Sequence, residues 1–478
     1  MNNPLAPAWL ECPSDLNAIN NDVFSRHTTR RATGELEIAG VAASDLSTRF
    51  GTPLYVIDED DFRARATSAK NILSAAAEKI GATAKVYYAS KALLSVEIAA
   101  WIDELGLNID VASGGELAAA LAAGIDASRI GLHGNNKSIR EIGRAVTSGV
   151  GAIVIDSEIE IERIAAAAGA QDKVQNVRLR INTGVHGNTH DFLATAREDQ
   201  KFGIPIADAL ALVEKIRSHS HLKFIGFHQH VGSQIFSADG FIESTKRLVE
   251  LTAKAIDAGI EIAEMNLGGG FGVNYKPADN APSLSHYADA IAEVVATECA
   301  RHGIGIPVLA FEPGRYIAGP AGITLYNVGT TKDVKVTDGE KPAVRKYVSV
   351  DGGMSDNLRT SLYEAEYHAV LASRTSSADA ALVRIVGKHC ESGDIVVRND
   401  YLPEDIQPND LVAVATTGAY CFSLSNNYNY LTRPAVVAVR SGEARVIVRA
   451  ETEADLFARD LKYQEVVGKS PAAKNEKS

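Results

Sequence analysis

The chain has 478 residues, 46% of them hydrophobic and 23% charged, ordinary values for a globular protein with room for two or three domains at roughly 150 residues each. Its 48 Lys and Arg against 60 Asp and Glu leave a formal net charge of -12, which argues against a general attraction to nucleic acid or an anionic membrane. The four scattered cysteines, Cys12, Cys299, Cys390 and Cys421, suit neither a disulfide framework nor a zinc motif, so no metal is expected and a reducing cytoplasm is.

In chain order, MNNPLAPAWL lacks the basic and apolar stretches of a secretory signal, and nowhere do about 18 consecutive apolar residues offer a membrane span. Residues 1–50, with GELEIAG, are expected to add a strand or two to a later β domain. From residue 51 to residue 314 short β-rich runs alternate with Ala-rich amphipathic stretches. The runs are AKVYYAS, LNIDVAS, IGLHG, GAIVID, VRLRIN, KFIGFHQHV, EMNLGGG and PVLAFE. Eight βα units in roughly 250 residues predict a parallel (β/α)8 barrel rather than a doubly wound sheet. Residues 315–464 turn to strand-like segments without long helices and predict a β-sandwich or β-barrel domain. Residues 465–478 are polar and Lys-rich and read as a disordered tail.

Barrel enzymes work at the C-terminal ends of their strands. There the chain carries Lys91, His133, Asp156, Arg180, Asn182, His230, Ser233, Gly268 to Gly270, Glu312 and Arg315. Taken singly, Lys91 also fits a solvated surface charge, Gly268 to Gly270 a tight turn, His230 a packed ring, and Glu312 with Arg315 a structural ion pair. Together they are the parts that hold pyridoxal phosphate. Lys91 supplies an amine for the cofactor's aldehyde, and the amides of Gly268, Gly269 and Gly270, with Ser233, suit a phosphate. His230 offers a ring to lie against the pyridine, and Glu312 a carboxylate that keeps the pyridine nitrogen protonated. A protonated ring is a strong electron sink, which favours decarboxylation over racemisation.

The motifs YYASKA, HGNNK, HQHVGSQ, LGGGFGVNY, EPGRY, DGGMSDNLR, GKHCESGD and GAYCFSLSNNYN resemble those of the fold type III PLP-dependent decarboxylases, from about Phe24 to about Arg459. The resemblance implies that Lys91 holds the cofactor, that His230 stacks on it, and that Glu312, Pro313, Gly314 and Arg315 join the cofactor site. It makes Arg315, Arg359 and Tyr363 substrate-binding, Cys390 the proton donor, Glu391 a ligand for a distal ammonium, and Tyr420 a contact to cofactor and substrate. It also implies a homodimer in which Cys390 and Glu391 serve the neighbouring subunit's site. The residues themselves leave Cys390 open between a structural thiol and a proton donor, and Cys421 reads as core.

The expected activity is decarboxylation of meso-2,6-diaminopimelate to L-lysine and carbon dioxide, the last step of lysine biosynthesis. A related decarboxylase of arginine, ornithine or carboxynorspermidine is one alternative, and a noncatalytic PLP-binding regulatory protein is another. Two departures from the family pattern touch substrate choice: FLATAREDQKFG lacks the usual Thr-Gly pair before its KFG, and Thr360 follows Arg359 where proline is common.

Overall fold

The computed structural model describes residues 3–185, 200–338 and 341–468. The chain divides into two compact units, one of residues 60–274 and 279–321, the other of residues 1–59, 275–278 and 322–478.

The first unit is a closed barrel. Its strands are β1 (Ala84–Ala89), β2 (Asn108–Val111), β3 (Ile130–Leu132), β4 (Ala152–Ile155), β5 (Gln175–Asn182), β6 (Leu222–His228), β7 (Glu264–Asn266) and β8 (Val308–Phe311). Each pairs in parallel with its neighbours, and β8 returns to β1. Burial explains the register. Tyr88, Ile109 and Leu179 are buried, and so are the residues beside them, Tyr87, Asp110 and Arg178. Alternate residues face opposite sides of a strand. The Arg178 guanidinium donates to the Tyr87 hydroxyl at 2.7 Å and meets Glu264 of β7 at 2.6 Å, so the polar set faces the barrel interior.

Helices begin immediately after the mouth because serines cap them. Ser95, Ser113, Ser138 and Ser283 each accept from the backbone N–H three residues on, satisfying a donor that a helix start leaves orphaned. Ser138 and Glu141 complete a reciprocal capping box. Helices Val96–Glu104, Gly114–Ala122 and Ile139–Ser148 therefore start within a few residues of β1, β2 and β3, whereas Leu284–His302 follows β7 only after a longer loop.

In the second unit a nine-stranded sheet runs in the order Ile395–Pro403, Ala380–Val386, Lys341–Val350, Gly322–Asp338, Leu54–Asp58, Ala435–Arg440 and Glu443–Val448, with Ala369–Leu371 and Leu411–Val414 joined to it off that path. The last two strands on the main path form a hairpin whose turn residues Ser441 and Gly442 both have positive φ, the conformation a two-residue hairpin needs. The sequence reading starts the barrel at residue 51. In the structure Leu54–Asp58, buried at all five positions, is instead the middle of this second sheet, antiparallel to Gly322–Asp338 and parallel to Ala435–Arg440. Val23, Phe24, Leu36 and Ile38 from the first fifty residues share one apolar core with Leu54, Val56, Leu325 and Val437.

Helix Leu461–Gly468 runs into the stretch expected to be a disordered tail from residue 465; residues 469–478 lie outside the described residues. The FLATAREDQ departure lies outside them as far as residue 199. Among the described residues no helix is long and apolar enough to cross a membrane.

One close approach pins the barrel. Strand β6 shifts register between Phe224 and Gly226, leaving Gly226 at φ 151, where an added Cβ would lie 1.8 Å from the Glu264 carbonyl oxygen. Gly226→Ala should therefore cost about 3 kcal/mol or more, read as a lowered denaturant midpoint. An unchanged midpoint would mean that β6 and β7 do not approach this closely.

Candidate active site

Four strands deliver one cluster to the barrel mouth: Asp110 from β2, His133 from just beyond β3, His228 from β6 and Glu312 from just beyond β8. The Glu312 carboxylate oxygen Oε1 lies 3.0 Å from His228 Nε2 and 3.7 Å from His133 Nε2. His133 Nε2 is in turn 3.1 Å from Asp110 Oδ1, and the two imidazoles meet edge to face with centroids 5.0 Å apart.

Burial is the largest influence on each of these groups. It pushes His133 and His228 down to about 4, with the charge of Glu312 opposing the shift, so both rings are neutral near pH 7. It raises Asp110 well above the carboxylate range, and the negative charge of Glu312 adds to that. For Glu312 burial works against ionisation, but His228 and His133 outweigh it and hold the carboxyl well below its usual range. Two nearby carboxyls have thus been driven apart, one protonated and one charged. The His133, His228 and Glu312 ligand atoms lie within 4.8 Å of one another, a set able to hold a metal ion. The charges of Lys91, Arg178 and Arg180 act on the same His133 ring and oppose a divalent cation there.

Lys91 follows β1 in a single 3-10 turn, Ser90–Ala92, and is exposed at the mouth. His230 is driven well below its ordinary value by burial and then by the Lys91 charge. Its Nδ1 accepts from the Gly269 amide at 3.3 Å. Asp156 and Arg180 form an opposing wall, 3.8 Å apart, with the Arg180 guanidinium 4.4 Å from the centre of the Phe202 ring. Asn182 Oδ1 accepts from the Gly184 amide at 2.9 Å.

The glycine loop and its neighbours form a cradle. A Cβ at Gly268 would fall 2.3 Å from the Gln229 carbonyl oxygen, at Gly269 2.1 Å from that of Glu312, and at Gly270 2.4 Å from that of Gly232. Only glycine lets the loops after β6, β7 and β8 close on one another in this way. Arg315 donates to Ser233 Oγ at 2.7 Å, so a guanidinium joins the same rim. Pro313 and Gly314 make the turn between Glu312 and Arg315, and Gly314 packs so tightly on Ala89 that a Cβ would stand 2.8 Å away. A glycine turn with no side chains to block approach, the Ser233 hydroxyl and the Arg315 guanidinium suit a phosphate, the charged Glu312 suits a pyridinium, and Lys91 supplies an amine. These residues fit pyridoxal phosphate.

The second unit holds two further groups. Arg359, buried, donates to the Tyr367 hydroxyl at 2.8 Å and has the rings of Tyr275, Tyr367 and Tyr420 within 4.9 to 5.8 Å. Burial opposes its charge, and the tyrosine hydroxyls more than restore it. Tyr420 is held at φ 67, a left-handed conformation costing an aromatic residue about 1 kcal/mol or more. Tyr363, in the same short helix as Arg359, is 63% exposed. Cys421 is fully buried, its sulfur 3.6 Å from the Tyr367 hydroxyl.

Cys390 and Glu391 are exposed on a loop that Asp394 staples. The Asp394 carboxylate accepts the Met354 amide at 2.6 Å and the His389 amide at 2.8 Å. It occupies the space where a Cβ on Gly353 or Gly387 would stand. Sequence reasoning missed His228, Asp110, Arg178, Tyr275 and Tyr367. For Asp110 and Arg178 a signal existed: each is a charge flanked by apolar residues in a run too regular to be a loop.

The pH dependence of stability tests this electrostatic account. Free histidine titrates near 6.5 and His228 near 4, so between these values the unfolded chain binds more protons and stability falls as the pH drops. Asp110 contributes with opposite sign above its ordinary 3.8, because the folded protein keeps a proton that the unfolded chain releases. Glu312 stabilises above 4.5 and loses that contribution only below it. Comparing wild type with His228→Gln isolates the histidine. Between pH 6.5 and about 4 the variant's stability should decline less steeply, by up to about 1.4 kcal/mol per pH unit, and parallel slopes would show that His228 is not held neutral.

Comparison with known proteins agrees with this chemistry. The profile described as "Pyridoxal-dependent decarboxylase, pyridoxal binding domain" matches residues 62–319. The diaminopimelate decarboxylase of Mycobacterium leprae (strain TN) is 49% identical over 95% of this chain and 96% of its own. That of Mycobacterium tuberculosis (strain ATCC 25618 / H37Rv) is 49% identical over 92% and 98%. The solved diaminopimelate decarboxylase from M. jannaschii in complex with L-lysine superposes with a TM-score of 0.84 at 31% identity, covering 91% of this chain and 98% of that one.

Proposed function

Since the chain belongs to the diaminopimelate decarboxylases, within the pyridoxal-dependent decarboxylase family, we propose that its barrel mouth and the Arg359 and Cys390 groups together turn meso-2,6-diaminopimelate into L-lysine and carbon dioxide, the last step of lysine biosynthesis. The observation that carries this reading is the set assembled at one mouth: an exposed amine at Lys91, the glycine cradle with Ser233 and Arg315, and an ionised, buried Glu312.

When bound, pyridoxal phosphate supplies an aldehyde for the substrate amine and a ring that accepts the electron pair left by departing carbon dioxide. The chain's own residues do the rest. Lys91 provides the amine that holds the cofactor, and Gly268 to Gly270, Ser233 and Arg315 bind its phosphate. The neutral His230 presents a ring face. Glu312, kept charged by His228 and His133, pairs with the pyridine nitrogen and keeps its proton in place. Arg359, whose charge is met by tyrosine rings and a hydroxyl rather than consumed by an acid in the contacts described above, binds a substrate carboxylate with Arg315 and Tyr363. Tyr420 touches cofactor and substrate. Cys390 donates the proton that replaces the lost carboxylate, its exposure favouring this role over that of a structural thiol. Glu391 binds the distal ammonium. A site lined with such charges rejects a substrate that lacks the matching groups, because its own charges would be left unpaired.

We further propose that the enzyme is a cytoplasmic homodimer, with Cys390 and Glu391 serving the partner's barrel. The free state of all four cysteines supports a reducing compartment.

Three measurements test the reading. Carbon dioxide release should be strong with meso-diaminopimelate and weak with arginine, ornithine or carboxynorspermidine; the reverse order would assign the related activity. Lys91→Ala should lose both the cofactor's imine absorbance and turnover, and persistence of either would overturn the cofactor assignment. Mixing inactive Lys91→Ala with inactive Cys390→Ala protein should restore up to about one quarter of the sites by forming mixed dimers. No recovery after subunit exchange would exclude shared sites.

A further inference from the structure

The loop bearing Cys390 and Glu391 is exposed, yet its two functional side chains must be held in place to act. One residue between these groups and the protein interior has no role so far. His389, only 7% exposed, precedes Cys390 directly, and both of its ring nitrogens are engaged. Nδ1 lies 2.9 Å from Asn429 Oδ1, and Nε2 lies 2.8 Å from Ser355 Oγ. The Asn429 amide oxygen only accepts, so Nδ1 carries a proton and donates to it, while Nε2 pairs with the serine hydroxyl. The bond to Asn429 requires an unusual backbone: Asn429 sits at φ 51 and ψ 25, the left-handed region that asparagine tolerates better than most residues. The ring thereby ties three distant segments, around Ser355, His389 and Asn429.

The same ring carries Tyr428. The two rings stack with centroids 5.4 Å apart and planes 25° from parallel. The Tyr428 hydroxyl donates a hydrogen bond to Glu391 Oε1, leaving Oε2 to a ligand. Tyr428 is 41% exposed. A hydrogen bond between two exposed side chains is weak, because water competes for both and each must give up rotamer freedom. Stacking on a buried, doubly anchored ring removes that freedom in advance.

We infer that His389 is a positioning residue: it fixes the backbone that presents Cys390 and, by carrying Tyr428, aims the Glu391 carboxylate at the distal cation of the substrate. This rests on the proposed roles of Cys390 and Glu391 and goes beyond them, since it assigns His389 and Tyr428 to substrate selection without contact between His389 and the substrate.

The test uses the PLP-loaded protein and the variants Tyr428→Phe, His389→Ala and their double variant. Two readouts are compared: steady-state kinetics with meso-diaminopimelate, and amide hydrogen exchange across residues 387–394. Tyr428→Phe keeps the stack and loses the hydroxyl, so KM should rise about tenfold, the value of one hydrogen bond to a charged group, with kcat and exchange nearly unchanged. His389→Ala should raise KM at least as much, lower kcat, and speed exchange of residues 387–394 by about tenfold or more. Because Tyr428 depends on the His389 ring for its position, the double variant should have the KM of His389→Ala. Multiplying KM effects, or unchanged exchange in His389→Ala, would overturn the inference. Should wild type fail to release carbon dioxide from diaminopimelate, the functional reading falls, and the exchange rates alone decide whether His389 fixes the loop.

Discussion

A carboxylate taken out of water stays charged only if its surroundings replace what water supplied, and the barrel is built around one such group. Glu312 is buried, receives the His228 ring at 3.0 Å, and has His133 next to it. Its neighbour Asp110 is also a carboxyl, and in a confined space both cannot be charged. Asp110 is pushed to the protonated form, and Glu312 keeps the negative charge. The neutral His228 places a ring N–H on Glu312 without a full counter-charge, so the carboxylate keeps its negative charge.

The arrangement needs a closed sheet. Asp110, His133, His228 and Glu312 lie on or just past four different strands, and only closure of the barrel brings β2, β3, β6 and β8 around one axis. Closure in turn depends on close approaches that side chains would block. Gly226 lies against the Glu264 carbonyl oxygen and Gly269 against that of Glu312. The glycine run lets three loops meet, with the Gly268 amide donating to Asn266 Oδ1 and the Gly269 amide to His230 Nδ1. The second unit solves a similar problem with Asp394, a buried carboxylate that accepts the His389 amide of its own loop and the Met354 amide of a distant segment. Gly353 and Gly387 leave room for it.

Much of this was legible because the chemistry lies where strands end. Lys91, Ser233, Gly268 to Gly270, Glu312 and Arg315 each follow an apolar run in the sequence, and the runs themselves match the observed barrel strands to within a few residues. Cys390 and Glu391 stood out because HCESGD is too polar for a core segment. What stayed hidden were residues whose importance comes from a partner far along the chain. His228 looked like one of two histidines in HQH, and nothing local says that it faces Glu312 while His230 faces the Gly269 amide. Tyr275 and Tyr367 are ordinary aromatics until both are found around Arg359. The Leu54–Asp58 run was read with the barrel by proximity, although its strand partners begin at residues 322 and 435.

By itself the sequence determined the parts and their order: eight βα units, a lysine, a glycine loop and an acid at strand ends, a β-rich second region and a cysteine in a polar loop. It could do so because strand periodicity, turn chemistry and side-chain reactivity are local properties. The tertiary structure alone decided which carboxyl is charged, which histidine supports it, and which tyrosines surround the buried arginine. Those outcomes depend on burial and on the distances between groups, and both come into being only when strands and loops far apart in the chain are packed against one another.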